Sequence, residues 1–345
     1  MYTVLNLKNF YSVLNKKLIL RKGFILFFST QKNNALIMCP SQGTQFVGML
    51  SKVDVTNYVY KQLIDLAKNT LGYNLLDKCK HGPQELLNRT LYSQPAILLS
   101  TLLIAENIKM DKSLKWKSIV GYSLGELSAL AAAGCISYED IFKIVKVRAS
   151  AMEKAVSSTP TGMIFLEGLT VSEVNELCDD LSKTSSKRLY LATHLFEYGV
   201  TVGGSLDLLN KIVNQEHSLV NSLLKEDKVK VSKVHVSGAF HTPYMQPAQE
   251  LLNDVLQNIA IQPTDIKLYS NVTGKPYENI NCIKNLLVRQ VCEPLLWYSV
   301  LQSINEDYLN GFYDVVFELS RIKQIKTMIG KVNKDMRAKV VNLWV

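Results

Sequence analysis

The first 34 residues contain no aspartate or glutamate, although the chain of 345 residues carries 30 acidic side chains in all. Six lysines and arginines stand in that stretch, whereas the other 311 residues carry 33 basic and 30 acidic groups. Most of the net charge of +9 therefore lies in the N-terminal segment. A nucleic-acid-binding protein would concentrate positive charge on its folded body, so this distribution argues against nucleic acid as a partner.

A basic N-terminal segment that lacks acidic residues and is rich in Leu, Phe, Asn and Ser is typical of a mitochondrial transit peptide. We predict a transit peptide over residues 1–34. A secretory signal fits less well, because Arg21 and Lys22 interrupt the apolar stretch of residues 18–28. The alternative is a basic N-terminal helix that stays in the mature protein.

Long hydrophobic runs, cysteine pairs and metal-ligand spacings are also absent from the sequence. No apolar run reaches the ~18 residues of a membrane-spanning helix, so we expect no membrane span. The six cysteines form no C-x-x-C pair, and the five histidines show no metal-ligand spacing, so a zinc site has little support. Scattered thiols are more typical of a reducing compartment than of a disulfide framework.

Strand-turn-helix units in series indicate an α/β fold with a parallel sheet. The first predicted strand, residues 35–39, leads into a polar turn, and the second, residues 117–120, runs directly into Gly121. Helices are predicted from near residue 48, over 56–68, 95–107, 126–133 and from residue 137, with later strands at 266–270 and 314–318.

The middle of the chain has a different pattern, in which predicted strands and helices follow the order β-α-β-β-α-β. These elements cover residues 163–166, 171–184, 188–193, 199–203, 205–225 and 228–236. The order is that of a ferredoxin-like unit. We therefore predict a small ferredoxin-like domain over residues 160–232. It would be inserted into a large, hydrolase-like α/β domain formed by residues 35–159 and 233–345.

Residues 121–125 read G-Y-S-L-G, a G-x-S-x-G pentapeptide with a predicted strand before it and a predicted helix after it. Such a turn pushes the serine side chain out at the end of the strand, and glycines on either side avoid clashes. The start of the following helix offers free N–H groups to a developing oxyanion. We predict that Ser123 is a nucleophile and that the Leu124 N–H is an oxyanion donor.

A nucleophilic serine needs a base, and the sequence offers five histidines. His241 lies between a predicted strand and a predicted helix, which is where an α/β protein places its site residues. Sequence position alone favours it only weakly over a histidine that is merely packed or exposed. The other candidates are His81, His194, His217 and His235.

Arg148 is predicted to lie on the apolar face of a helix over residues 141–156, together with Ile141, Ile144 and Val145. A buried arginine is costly without an anionic partner. That partner is either an internal acid or the carboxylate of a substrate held by two parallel hydrogen bonds.

Taken together, these motifs resemble the malonyl-CoA:acyl carrier protein transacylases, most closely their mitochondrial members, over residues 35–330. The resemblance is carried by P-S-Q-G-T-Q at 40–45, Q-P-A at 94–96, G-Y-S-L-G-E at 121–126, V-R at 147–148 followed by Met152, A-F-H-T-P-Y-M at 239–245, Y-S-N-V-T-G at 269–274 and L-V-R-Q at 287–290. Several spaced motifs in the same order make a chance match improbable.

The resemblance implies ping-pong transfer of a malonyl group from malonyl-CoA to the phosphopantetheine thiol of acyl carrier protein. In this scheme Ser123 is acylated, His241 is its base, and Gln290 orients His241 through its side chain or a nearby carbonyl. Gln42 would lie beside the oxyanion and Arg148 would pair with the malonyl carboxylate. The resemblance implies no metal or redox cofactor, and we expect a monomer in the mitochondrial matrix.

The sequence departs from the family pattern at three places. Tyr122 stands where the family usually has histidine before the serine. Residues 318–322 replace a Glu-x-Gly-Pro-Gly turn, so the geometry of that turn must change. Residues 196–199 lack the asparagine-rich pattern of bacterial members.

Two other functions use some of the same features. An α/β-hydrolase esterase or thioesterase shares the G-x-S-x-G turn, but it needs a histidine late in the chain and several strands before the serine. His241 is the last histidine, and the segment before Ser123 is predicted to be mainly helical. A non-catalytic relative would fit the altered residues 122 and 318–322, but it would have no reason to keep the serine, histidine and arginine together.

Overall fold

The structure, a computed structural model, describes residues 18–21, 24–27, 32–183, 185–216 and 229–345. Within the predicted leader it contains two short strands, β1 (Leu18–Arg21) and β2 (Phe24–Phe27), which pair antiparallel. Residues 1–17, 22–23 and 28–31 of the predicted transit peptide lie outside the described residues. The transit peptide therefore stays a prediction.

A five-stranded parallel sheet forms the centre of the larger part of the molecule. Its strands are β3 (Asn33–Cys39), β4 (Leu114–Gly121), β9 (Lys267–Leu268), β10 (Val315–Glu318) and β11 (Val340–Asn342), in the spatial order β11-β10-β3-β4-β9. β3 and β10 are almost wholly buried, as expected for continuous apolar strands covered on both faces. The predicted α/β class with a parallel sheet is confirmed, whereas β11 was not predicted.

Among the described residues, six helices precede the small sheet in the chain. They are α1 (Tyr58–Leu71), α2 (Leu75–His81), α3 (Gln84–Asn88), α4 (Thr90–Lys109), α5 (Leu124–Ala132) and α6 (Tyr138–Ser158). Helix α4 begins before its predicted start at residue 95 because Pro95 is tolerated inside it. Proline cannot donate to the Leu91 carbonyl, and that oxygen accepts a hydrogen bond from the Tyr73 hydroxyl at 3.2 Å instead.

The predicted helix near Gly48 is wrong, because residues 47–52 form turns. Gly48 and Leu50 have φ values of 94° and 65°, in the left-handed region that a right-handed helix cannot include. The chain becomes helical only at Tyr58, after an Asn57 cap whose side chain accepts from the N–H groups of Val59 and Tyr60.

A separate four-stranded antiparallel sheet occupies the middle of the chain. Its strands are β5 (Thr161–Glu167), β6 (Leu189–Phe196), β7 (Gly199–Ser205) and β8 (Lys230–Lys233), in the order β6-β7-β5-β8, and its helices are α7 (Val171–Lys183) and α8 (Leu206–Val213). These elements appear in the predicted order. The predicted helix over 205–225 is too long, since α8 ends at Val213 with Asn214 as its cap, and residues 217–225 lie outside the described residues.

Five helices follow the small sheet: α9 (Gln246–Gln257), α10 (Ile283–Gln290), α11 (Trp297–Leu309), α12 (Gln324–Ile329) and α13 (Lys334–Lys339). Short 3-10 turns at Pro243–Met245 and Ile280–Cys282 precede α9 and α10. Over the part of the chain that is described, none of the helices is both long and apolar enough to cross a lipid bilayer.

Two glycines allow β3, β4 and α5 to pack closely at the turn after β4. A Cβ atom on Gly125 would overlap the main-chain carbonyl of Cys39 at the end of β3, and one on Gly121 would overlap the carbonyl of Gly125. Main-chain atoms cannot move aside as a flexible side chain can. The two glycines of the pentapeptide are therefore required by packing, and they bring the start of α5 against the ends of two strands.

We predict that Gly125→Ala lowers the free energy of unfolding by about 3 kcal/mol or more, the upper end of the cost of overpacking a buried site. The matched control is Gly134→Ala. Gly134 has a φ of 80° but has no atom within 4 Å of an added Cβ, so it should lose only about 1–2 kcal/mol for the left-handed conformation. Denaturant unfolding measures both, and a loss at Gly125 no greater than that at Gly134 would contradict the packing argument.

Candidate active site

Ser123 occupies a strained turn between a strand and a helix, as the pentapeptide predicts. β4 ends at Gly121, α5 begins at Leu124, and Ser123 between them has φ 50° and ψ −108°. Few residues other than glycine adopt a positive φ, and such strain is concentrated at functional sites. The Ser123 side chain is 2.8 Å, from Oγ to Nε2, from the imidazole of His241.

His241 is held from its other ring nitrogen by a main-chain carbonyl. Nδ1 lies 2.7 Å from the carbonyl oxygen of Gln290, and a carbonyl can only accept, so Nδ1 carries the proton and Nε2 presents its lone pair to Ser123. Burial, and secondarily the positive charge of Arg148, lower the pKa of His241 to about 3, with the Gln290 carbonyl opposing them. The imidazole is therefore neutral at physiological pH.

Arg148, from α6, is fully buried and points at the same serine. Its Nη1 donates to Oε1 of Gln94 at 2.6 Å, and its Nη2 donates to Oε1 of Gln290 at 2.9 Å. Nη2 also lies 3.5 Å from the Ser123 hydroxyl. Burial lowers its pKa to about 10, while the charge of Glu126 opposes the shift, so the guanidinium stays charged at pH 7.

None of the described acidic side chains contacts Arg148 directly, as the alternative of an internal acidic partner would require. Within the described ranges, Arg148 takes part in none of the ion pairs shorter than 4 Å. The carboxyl group of Glu126 lies on the far side of the Gln290 amide, whose Nε2 donates to it at 2.6 Å. Burial raises the pKa of Glu126 to about 7 against the hydrogen bonds of Tyr277, Gln290 and Asn271.

Gln290 uses two different groups in the site. Its main-chain carbonyl meets His241, whereas its side chain contacts Arg148, Glu126 and the carbonyl oxygen of Ser123, the last at 3.1 Å. Of the two modes expected for Gln290, the structure has the carbonyl contact. The side-chain amide instead links the turn of the nucleophile to the arginine.

Asn271 holds the turn of the nucleophile at both ends, a contact that sequence reasoning missed. Its Oδ1 accepts from the Ser123 N–H at 2.7 Å, and its Nδ2 donates to the Gly121 carbonyl at 2.8 Å. The only signal in the sequence was its place in the Y-S-N-V-T-G segment. Because a side-chain amide matches a main-chain donor and acceptor together, Asn271 can stabilise the strained conformation of Ser123.

Gln42 and Leu124, the two predicted oxyanion donors, lie on different elements. Leu124 is the first residue of α5, where main-chain N–H groups lack a partner within the helix. Nε2 of Gln42 donates to the hydroxyl groups of Ser93 and Thr90 at 3.0 and 3.3 Å. The side chain of Gln324 fixes this loop, since Oε1 accepts from the Ser41 N–H and Nε2 donates to the Gln42 carbonyl, both at 2.8 Å.

The departures from the family pattern have local consequences. Tyr122 packs against Trp297 with ring centroids 5.1 Å apart. In the altered turn after β10, the carboxylate of Glu318 accepts from the N–H groups of Ile325 and Lys326 at 2.7 and 3.2 Å. It thereby caps the start of α12, the helix that carries Gln324, and the segment that lacks the glycines and proline still supports the Gln42 loop.

The remaining histidines are not part of this cluster. His81 and His235 are exposed, and His194 packs edge-on against Tyr298 with centroids 5.0 Å apart. His217 lies outside the described residues. Among the residues that the structure describes, no three His, Cys, Asp or Glu side chains group together in a way that could hold a metal ion.

The chain matches known proteins over most of its length. The family model for the acyl transferase domain matches residues 37–340. A mitochondrial malonyl-CoA-acyl carrier protein transacylase of Homo sapiens is 30% identical over 311 residues, which cover 87% of this chain and 77% of the relative. A probable mitochondrial transacylase of the same name from Drosophila melanogaster is 29% identical over 312 residues, 88% of this chain and 80% of the relative.

Solved structures agree with the sequence relatives. The crystal structure of a malonyl CoA-acyl carrier protein transacylase from Clostridium perfringens has a TM-score of 0.77 and 29% sequence identity, and the match covers 90% of this chain and 93% of that one. A FabD structure from Acinetobacter baumannii has a TM-score of 0.78 and 25% identity. The resemblance drawn from the motifs is thus confirmed, and this chain belongs to the acyl transferase family, among the malonyl-CoA:acyl carrier protein transacylases.

Proposed function

We propose that this protein transfers a malonyl group from malonyl-CoA to the phosphopantetheine thiol of an acyl carrier protein, through a malonyl-serine intermediate. The observation that carries the proposal is the convergence of three buried groups. The Ser123 hydroxyl meets the unprotonated Nε2 of His241 at 2.8 Å, and the guanidinium of Arg148 lies 3.5 Å from the same oxygen. The proposed nucleophile therefore has both a base and a carboxylate-binding cation within 3.5 Å of its oxygen.

The reaction divides into two half-reactions with the same base. Ser123 Oγ attacks the thioester carbonyl while His241 Nε2 takes its proton, and that proton passes to the CoA sulfur as the carbon–sulfur bond breaks. The carrier thiol then attacks the seryl ester and gives its proton to His241, which returns it to Ser123 Oγ. The Leu124 N–H and the Gln42 side chain are proposed to stabilise the oxyanion in both steps.

The group that contacts His241 Nδ1 is the neutral carbonyl of Gln290, whereas a Ser-His-Asp triad has a carboxylate at that place, and a neutral group suits this site. Arg148 already brings one buried positive charge, and the Gln290 carbonyl fixes the tautomer of His241 without adding a second ionisable group. This arrangement favours the transferase over a hydrolase with a Ser-His-Asp triad, in which a carboxylate stabilises the imidazolium.

We also propose a domain organisation and a location. Residues 35–159 and 233–345 form a hydrolase-like large domain, and residues 160–232 form a ferredoxin-like small domain. The strand order β6-β7-β5-β8 supports the ferredoxin-like assignment. Residues 1–34 direct the protein to the mitochondrial matrix, since the human and fly relatives are named mitochondrial. We further propose that the protein acts as a monomer.

Ser123→Ala should abolish the malonyl adduct that intact-protein mass spectrometry detects after incubation with malonyl-CoA, because it removes the attacking oxygen. Ser128→Ala is the matched control, since Ser128 is a buried serine on the same helix whose hydroxyl forms no hydrogen bond with any described residue. His241→Ala should slow adduct formation by ~10²–10⁴-fold, the usual contribution of a positioned base. A stable adduct on the Ser123 variant would refute the nucleophile, and near-normal rates without His241 would place the base elsewhere.

Arg148→Ala should cost malonyl transfer heavily and leave acetyl transfer unchanged or improved, because acetyl has no carboxylate for the guanidinium to bind. Arg148→Lys should recover only part of the loss, since an ammonium lacks the planar fork. Arg89→Ala removes an arginine that pairs with Glu153 of the same helix α6 and should not change the donor ratio. The measurements are the transfer rates with malonyl-CoA and with acetyl-CoA, together with the thermal melting of each variant. Equal losses of rate for the two donors would count against Arg148 as the carboxylate anchor.

A protein that begins near residue 31 should transfer malonyl groups at the normal rate and remain in the cytosol, because every residue assigned to the site lies at position 42 or later. The activity of the purified truncated protein tests the prediction about transfer. Microscopy of tagged full-length and truncated forms tests the prediction about location. Import of the truncated form would contradict the transit peptide.

A further inference from the structure

Glu126 is a buried carboxyl group in the site to which the reaction assigns no role. It lies on α5, three positions after the nucleophile, and is 1% exposed. Its Oε1 accepts from the hydroxyl of Tyr277, and its Oε2 accepts from the Asn271 N–H at 3.1 Å and from Gln290 Nε2 at 2.6 Å. All three contacts are donors, so the group acts purely as an acceptor.

The side-chain amide of Gln290 could fit its space in two orientations, because its oxygen and nitrogen ends have nearly the same shape. In the observed one, Nε2 faces two acceptors, Glu126 Oε2 and the Ser123 carbonyl, and Oε1 faces the Arg148 guanidinium. A flipped amide would set oxygen against both acceptors and NH₂ against the guanidinium. Glu126 therefore acts with the Ser123 carbonyl to direct the oxygen end of the amide toward Arg148, and its contact with Nε2, at 2.6 Å against 3.1 Å, is the shorter of the two.

This arrangement supports the buried positive charge without covering it. A carboxylate in direct contact with Arg148 would take the two parallel N–H groups that a substrate carboxylate needs. With no carboxylate nearby, the guanidinium would be a poorly compensated buried charge. Because Glu126 acts through one intervening amide, Arg148 is oriented by Gln290 Oε1 and keeps Nη2 within 3.5 Å of the Ser123 oxygen.

We propose that Glu126 is a positioning residue that sets the acyl-donor selectivity of the enzyme, by fixing the Gln290 amide and through it the direction of Arg148. The inference rests on the proposed function and names a determinant of its selectivity. An acetyl group makes no contact with the guanidinium, so loss of this orientation should weaken malonyl transfer and spare acetyl transfer.

The test compares single-turnover acylation of Ser123 by malonyl-CoA and by acetyl-CoA in three variants. Glu126→Leu removes the acceptor, and malonyl acylation should fall about tenfold to a hundredfold, the range for losing a hydrogen bond at a charged group, while acetyl acylation changes little. Glu126→Gln can keep its oxygen toward Gln290 and turn its NH₂ to Tyr277, so it should restore most of the malonyl-to-acetyl ratio.

Glu106→Leu is the matched control. Glu106 is a partly buried glutamate that accepts from the Tyr138 hydroxyl in the same manner as Glu126 does from Tyr277, and it pairs with Lys109 at 2.6 Å. It contacts none of the site residues, so its loss should lower stability and leave the donor ratio as it is.

Equal losses for the two donors in Glu126→Leu, or an unchanged ratio, would overturn the inference. If that variant does not fold, Tyr277→Phe provides the test, since it removes one hydrogen bond to the carboxylate and no atom of Gln290 or Arg148. It should lower the malonyl-to-acetyl ratio about two- to tenfold, and an unaltered ratio would refute the role. Wild-type protein that accepts no malonyl group at all would instead refute the proposed function, and this inference with it.

Discussion

The hydrogen bond between the His241 imidazole and the main-chain carbonyl of Gln290 is the contact on which the site depends. It fixes the tautomer that leaves Nε2 free for Ser123. A main-chain carbonyl cannot gain or lose a proton, so this control of the tautomer is independent of pH. The side chain of the same residue orients Arg148, and a displacement of α10 would therefore disturb the base and the cation together.

The charged side chains of the site are separated by a neutral group and do not contact one another directly. The imidazole of His241 is neutral, the guanidinium of Arg148 is charged, and the carboxyl group of Glu126 lies one amide beyond it. Direct ion pairing would neutralise the cation and occupy its donors. Separation by the neutral Gln290 amide leaves the guanidinium of Arg148 without a carboxylate in direct contact among the described residues.

Much of the site was predictable because its main residues fall in short motifs whose local structure the motif itself requires. Gly121, Ser123 and Gly125 specify the turn after β4, and the apolar runs of β3 and β4 specify the parallel sheet. Arg148 was placed on a buried helix face by periodicity alone. The choice of His241 among five histidines, by contrast, needed the family resemblance, because a single histidine in a junction carries little information.

What the sequence could not provide was the set of contacts between distant segments. Asn271 meets Ser123 across 148 positions of the chain, and Gln290 meets Glu126 across 164. No local pattern marks an asparagine or a glutamate as a partner over such distances. The turn at residues 47–52 was missed for a local reason. Leu50 adopts a left-handed backbone conformation, which residues other than glycine rarely adopt, so its residue type gives no sign of the turn.

The short segment after α10 connects the base to the small sheet. At its start, Val291 accepts from the His241 N–H at 3.1 Å; at its end, Leu295 donates to the Ala192 carbonyl of β6 at 3.0 Å and accepts from the N–H of His194 at 2.9 Å. Five residues thus act as a tether between His241 and the small sheet. A tilt of the small sheet would be transmitted through this tether to the imidazole, so the position of the small sheet and the contact between His241 and Ser123 are mechanically coupled.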